Sequence, residues 1–270
     1  MRGRTTARLH LLPAKEAPVV VIVSRKPSKT FHIVIWNTET DAMEHGSWFK
    51  GHLYAKRSDV SFDGKWMVYL AMGADGNTWN GCCKLPFLKT HLEEENIGTW
   101  NGGGFWKDRE TLLLNQWLNA KGSIPFKTEP LNAGQGEDLG VLYPRMERDG
   151  WQRLGDNWGT EREVSGSKYR VLCEGDDGWV FRHPVTRMNL ETRYVGYLDY
   201  GYTFAFKLRE YPELIPVSAD WATWDSIGNL VVAHDGEVHR YSKANILAGQ
   251  LGFKFDLNQL KKPESGQLPD

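Results

Sequence analysis

Asp59-Val60-Ser61-Phe62-Asp63-Gly64-Lys65-Trp66-Met67-Val68-Tyr69-Leu70 compresses a short strand, a tight turn and a longer apolar strand into one stretch. Glycine has no Cβ and accepts the positive φ of such a turn, and Asp tolerates it. Trp66 to Leu70 supplies the aromatic and branched residues that fit a pleated surface. The stretch predicts a hairpin within a sheet, with Gly64 in the left-handed region.

Similar punctuation extends in both directions. Upstream, Val19–Ser24 and Phe31–Trp36 read as strands, Asn37–Asp41 as a polar turn, and His45–Leu53 as a more exposed strand. Near the other end, Asp220 opens a second copy. Trp221–Trp224 is its short strand, Asp225–Asn229 its turn and Leu230–Val232 its apolar strand. Asp235-Gly236 then turns the chain into Glu237–Tyr241. A looser third copy spans Trp100–Leu114, with Lys107–Glu110 at the turn, and further hairpins are expected at Asp149-Gly150 and Asp177-Gly178. Helix is expected only at Leu88–Asn96 and Lys243–Leu251. Gly, Asp-Gly and Pro interrupt the apolar runs elsewhere.

Ser61 to Tyr69 resembles the WD40-like repeat of TolB-type β-propellers, in which an innermost strand ends in Ser-x-Asp-Gly before an apolar second strand. On that resemblance, Ile33–Trp36, Asn37–Asp41 and Gly46–Leu53 complete the preceding blade. The turns near residues 63, 108, 149 and 226 fall at a spacing of roughly 40 to 45 residues with one double step, which is blade-sized. The reading is an all-β chain, residues 1–270 forming one β-propeller domain of five blades. Residues 1–16 and 258–270 are assigned as flexible ends. The N- and C-terminal strands close the ring by sharing one sheet, with Leu9–Leu11 or Phe253–Phe255 as the added edge strand. A β-sandwich or open meander is the alternative.

Composition bounds the function. The chain has 270 residues, a net charge of −1, 12 Trp, 10 Tyr and 11 Phe. Its 33 basic residues are scattered, without the aromatic-interleaved basic stretch of a nucleic-acid groove. Arg2, Arg4 and Arg8 precede an apolar run broken by Pro13, Lys15, Glu16 and Pro18, too short for a signal or a membrane span. The expectation is a cytoplasmic chain with no membrane and no nucleic-acid partner. Cys82, Cys83 and Cys173 form no disulfide framework and read as reduced, partly buried thiols. Neither a cofactor nor a metal is expected, although His234 and His239 flank one hairpin and could face each other.

No catalytic motif is present, and Gly102-Gly103-Gly104 precedes no helix, so it is not a phosphate loop. Thr-Trp-Asn-Gly occurs at 78–81 and again at 99–102. Its Trp and Asn suit a rim that stacks on and hydrogen-bonds a ligand, while the plainer reading is packing and turns. Asp59 and Asp220 each begin an innermost strand and could point towards a central funnel. There they would be the acid and base of a carbohydrate-active hydrolase, unless Arg57 neutralises Asp59. The candidate ligand-binding residues are Arg57, Asp59, Trp79, Trp100, Asn101, Asp220 and Trp221. The leading expectation is a non-catalytic module that presents a propeller face to a protein or peptide. The hydrolase is its alternative.

Overall fold

The computed structural model describes residues 6–131, 133, 138–154, 161–164, 167–170, 178–198 and 201–262. Four strands follow one another as an antiparallel meander: β1 (Arg8–Pro13), β2 (Val19–Lys26), β3 (Thr30–Asn37) and β4 (Met43–Leu53). The next meander has β5 (Asp59–Val60), β6 (Trp66–Gly73), β7 (Thr78–Lys84) and β8 (Thr90–Glu95), and the end of β4 pairs with β6. A third sheet has β9 (Gly104–Trp106) antiparallel to β10 (Thr111–Asn115). After β11 (Lys121–Gly122) pairs back to β8, β12 (Lys127–Leu131) joins β10 in parallel.

Helix α1 (Leu139–Asp149) leads to β13 (Gln152–Arg153). The hairpin of β14 (Glu161–Val164) and β15 (Ser167–Arg170) comes next. β16 (Gly178–Arg182), β17 (Asn189–Leu198) and β18 (Gly201–Leu208) join β13 as the fourth main sheet. The last sheet is β19 (Trp221–Trp224), β20 (Leu230–His234) and β21 (Glu237–Tyr241), then α2 (Lys243–Ala248) and β22 (Phe253–Asp256).

Alternation along β1 to β3 explains how the sheets stack. Leu9, Leu11, Val20, Ile22, Val34 and Trp36 pack with Trp221, Ala222 and Val231 of the last sheet. Leu12, Val21, Val23 and Ile33, on the opposite face, pack with Val60, Met67, Tyr69 and Cys83 of the second. Val68, Cys82 and Leu92 carry the contact onwards to Trp106 and Leu112 of the third. Leu190, Phe204 and Phe206 of the fourth sheet share the cluster of the last, together with Leu142 and Met146 of α1. A sheet apolar on both faces needs a neighbour on each side, and these strands obtain one by stacking in succession.

Gly64 has φ +73°, and the turn around it is held by Ser61 and Asp63: Lys65 N–H donates to Asp63 Oδ1 at 3.1 Å and Trp66 N–H to Ser61 Oγ at 3.0 Å. The α2 helix forms within the expected Lys243–Leu251 segment, capped by Ser242 and Asn245 and ended by Gly249 at φ +62°. Cys82 and Cys83 are buried free thiols, and burial pushes Cys83 up to about 12. Cys173 lies outside the described residues.

Four expectations are corrected. Leu88–Asn96 is not helical; its core is β8, because Leu92 and Glu94 turn inward while their neighbours face out, a period of two. Asp149-Gly150 is no hairpin: Gly150, at φ +105°, ends α1 by accepting the left-handed conformation after the last turn. Residues 8–13 do not belong to a flexible end, as the 1–16 assignment has it; they form β1, the strand expected around Leu9–Leu11, with Leu11 fully buried. The terminal strands do not share a sheet either, since β1 pairs with β2 and β22 with β21. Side chains join the ends instead. Ala7 N–H donates to Asn258 Oδ1 at 2.8 Å, and Arg240 grips Asp41 through two bonds of 2.9 and 2.7 Å. The strand preceding Gly178, part of the Asp177-Gly178 expectation, falls outside the described residues.

Candidate functional site

A cleft of about 610 Å³ opens where β1, the turn Ala55–Arg57, β18 and the segment before β19 meet. One row across the first sheet forms part of its wall. Arg8 pairs with Arg25 across β1 and β2, and Arg25 pairs with Phe31 across β2 and β3. Directly opposed residues on neighbouring strands project to the same face, so both side chains start from the face that lines the cleft. Opposite them, the Lys56 ammonium lies 5.7 Å from the centre of the Phe204 ring. Burial pushes Lys56 down to about 8. His52 and Tyr54 lie beside it, their rings tilted against each other with centres 4.3 Å apart, and burial lowers His52, with Arg25 adding to the effect.

The floor is aromatic. His10 lies against Trp221 at 4.2 Å between ring centres, and Phe204 and Phe206 meet Trp221 edge-on at 5.9 and 5.2 Å. Burial, reinforced by Arg145, drives His10 well below the usual histidine range, so its ring is neutral. At the rim, the Asp220 carboxylate accepts the Leu9 N–H at 3.0 Å. Burial pushes Asp220 up to about 6. Val217, 96% exposed, and Val195, 53% exposed, add apolar surface at the mouth.

Behind the floor, α1 ties together the first strands of three sheets. Arg148 donates to Asp59 through both terminal nitrogens, at 2.6 and 3.0 Å, and to the Trp106 carbonyl at 2.6 Å. Asp59 also accepts the Trp106 N–H at 2.9 Å. Arg145 donates to the Ser58 carbonyl and to His10 Nε2, the latter at 3.4 Å. The Arg148 carbonyl accepts from Lys15 Nζ at 2.8 Å. A fully buried arginine is tolerable when its donors are met by fixed acceptors, and these two are.

The residues singled out in the sequence are therefore distributed. Asp220 and Trp221 line the cleft. Asp59 is buried under Arg148, which neutralises it in place of Arg57. Arg57 instead pairs with Asp138 at 2.9 Å and donates to the Thr99 and Asn101 carbonyls, clamping the second Thr-Trp-Asn-Gly copy in place. The first copy lies within β7, where Asn80 accepts the N–H of Gly103, the residue that follows the second copy, at 2.8 Å. Trp79 lines a separate pocket of about 260 Å³ with Phe49 and Tyr69. Trp100 is exposed, and Asn101 Oδ1 is buried without a hydrogen bond among the described residues. His234 and His239 do meet across their hairpin, edge to face at 6.4 Å.

The residues missed were Arg25, Lys56, Phe204, Arg145 and Arg148. Arg145 and Arg148 had a signal: three apart, they share a helix face. Pro144 within α1 and Gly150 at its end disguised the segment as turns.

No protein-family model matches the chain, and no curated protein matches it in sequence. Among solved structures, the uncharacterized protein lmo1340 of Listeria monocytogenes EGD-e aligns over 91% of this chain and 82% of its own, at 9% identity and a TM-score of 0.34. The WD40 domain of SCAP from fission yeast aligns over 91% of this chain and 64% of its own, at 10% identity and a TM-score of 0.24. Overlays this distant carry no argument about function. Among the described residues, no helix is long and apolar enough to cross a membrane.

Proposed function

We propose that the chain is a closed five-bladed β-propeller that works as a non-catalytic binding module, holding a protein or peptide segment in the cleft above α1. The first sheet packs on the second and the last, the second on the third and the fourth on the last, and α1, which packs on β9 and in the core of the last two, lies between the third and the fourth; this succession supports the ring. The observation that carries the binding reading is the cleft itself, a concave site of ligand size with an aromatic floor and a charged rim. The hydrolase reading needs two carboxyl groups converging on one bond. Asp59 is instead engaged by Arg148, and Asp220 lines the cleft without it.

Panning a random peptide library on the intact chain tests this. Ser218 is exposed at the cleft mouth, so Ser218→Trp obstructs the site without disturbing the core. The selected peptides should bind the parent in the micromolar range and lose at least tenfold on the variant. Equal binding to both proteins would remove the cleft as the site.

A further inference from the structure

We propose that the pocket beside Trp79 binds a free small molecule through one planar aromatic ring system, uncharged or anionic and about the size of indole. The site is separate from the cleft and does not rest on the peptide reading. Its first support is the way two strands leave space between large side chains. Tyr69 stands directly opposite Gly81, and Ala71 directly opposite Trp79, across β6 and β7. Residues two apart on a strand share a face, so each row sets a large side chain against a small one. No side chain fits at Gly81, since a Cβ there would stand 2.6 Å from the Tyr69 hydroxyl oxygen. In the other row the Ala71 methyl leaves Trp79 without a cross-strand neighbour of its own size. The space of about 260 Å³ that results is lined by both residues with Phe49, Tyr69 and Leu88.

The walls are held in place by one another. Phe49 and Trp79 meet edge to face, with ring centres 5.6 Å apart at 89°. The Trp79 indole N–H donates to the Tyr69 oxygen, and the Tyr69 hydroxyl donates to the Leu88 carbonyl at 3.2 Å. Leu88 N–H donates to Ser47 Oγ at 2.9 Å and Ser47 N–H to the Pro86 carbonyl at 3.2 Å, which fastens the 85–89 loop to β4. These polar groups are engaged with each other, so the walls reward apolar area and ring contact over hydrogen bonding. An apolar cavity of about 150 Å³ admits benzene, and the larger space here suits two fused rings.

Charge narrows the class. Lys89 is the one charged residue of the lining. An aromatic pocket for an ammonium group works by attracting the cation to the ring faces, and a lysine at the rim opposes that. A neutral ring, or one whose carboxylate points out of the mouth, meets no such opposition.

Calorimetric titration with indole, indole-3-carboxylate, benzyltrimethylammonium and cyclohexylmethanol tests the assignment on the parent chain, Ala71→Leu and Ser218→Trp. Leucine at 71 fills the space from its own wall, and Ser218 belongs to the cleft. The two indoles should bind the parent with a Kd of about 0.1 mM, ordinary for a ligand of this size, and the other two probes at least tenfold more weakly. Ala71→Leu should lose at least tenfold for the indoles, and Ser218→Trp should bind them as the parent does.

Equal binding of indole to the parent and to Ala71→Leu, or no binding to either, would overturn the site and leave the cleft untouched. Loss on Ser218→Trp would move the ring to the cleft and overturn it as well. Benzyltrimethylammonium binding as tightly as indole would overturn the charge assignment in favour of a cation, and cyclohexylmethanol doing so would overturn the need for an aromatic ring. The peptide Gly-Trp-Gly binding tenfold tighter than indole would overturn the free molecule in favour of a peptide side chain. If Ala71→Leu melts well below the parent, Trp79→Leu decides, with the same tenfold loss expected.

Discussion

The hairpins at 59–73 and 220–234 share a local plan and differ in what their first residue meets. Each begins with an Asp, turns on an Asp-containing loop with a left-handed glycine, and continues into a buried apolar strand. In the first, Ser61 and Asp63 hold the turn. In the second, Asp225 accepts the Ile227 and Asn229 N–H groups at 3.1 and 2.7 Å. Yet Asp59 sits under the guanidinium of Arg148, whereas Asp220 has the Leu9 N–H and a place on the cleft rim. Local sequence determines the turn. A helix nearly ninety positions further on determines whether the carboxylate is structural or available to a ligand.

The strongest way to break the comparison is to neutralise both acids. Asp59→Asn leaves Arg148, 9% exposed, with Asp149 as its remaining carboxylate at 2.8 Å. Removing one member of a buried pair strands the other charge and should cost about 3 kcal/mol, read from denaturant unfolding. An Asp59→Asn protein as stable as the parent would mean that α1 does not tie the sheets together.

The two turn glycines sharpen the parallel at a smaller scale. Gly64 has φ +73° and Gly228 has φ +91°, and a Cβ would lie 2.9 Å from Val19 Cγ1 in the first and 3.0 Å from His183 Cε1 in the second. Gly64→Val should cost about 2 kcal/mol and Gly228→Ala about 1 kcal/mol, since left-handed strain is common to both and the larger side chain adds crowding. A shift in melting temperature for one and none for the other would separate turns that look alike.

What was legible follows from the range of the interactions. The strand-turn-strand pattern at 59–70 and 220–234 depends on neighbours in sequence, and those elements are where the residues indicated. The three glutamates of β8 misled because a charged run matches a solvated helix face as well as a strand edge. Only the fold reveals that Glu94 turns inward to accept the Leu118 and Asn119 N–H groups at 2.9 and 2.6 Å. Repeat spacing misled at 149 for a related reason, since an Asp-Gly pair ends a helix as readily as it turns a hairpin. Of the cleft, Asp220 and Trp221 were visible because they lie in a repeat. Arg25 and Lys56 were not, because one lies near the end of a strand and the other within a turn, without any pattern of their own. Their proximity arises only when the second and fourth sheets are folded against the first.

Asp220→Asn gives an effect as small as that of Gly228→Ala and the most pointed contrast, because its sign is opposite to that of Asp59→Asn. Burial raises the Asp220 carboxyl to about 6 from an ordinary 3.8. Between those values the folded chain holds a proton that the unfolded chain has released. The group's contribution to stability is therefore present below about pH 4 and is lost as pH rises through 6. Asparagine never ionises and keeps a carbonyl oxygen for the Leu9 N–H. The variant should thus be more stable than the parent at pH 7.5 by about 1 kcal/mol, less than the full linkage value because the group is partly solvated. The gap should close towards pH 4. His32, which burial lowers to about 4, acts in the reverse sense over the same window: the unfolded chain takes up a proton first, so stability falls as pH drops below 6.5. That contribution is common to both proteins and cancels in their difference, which is why paired melts at several pH values are the measurement. A parent more stable than Asp220→Asn at pH 7.5, or a gap that does not move with pH, would place Asp220 with Asp59 as a structural carboxylate and remove it from the cleft rim.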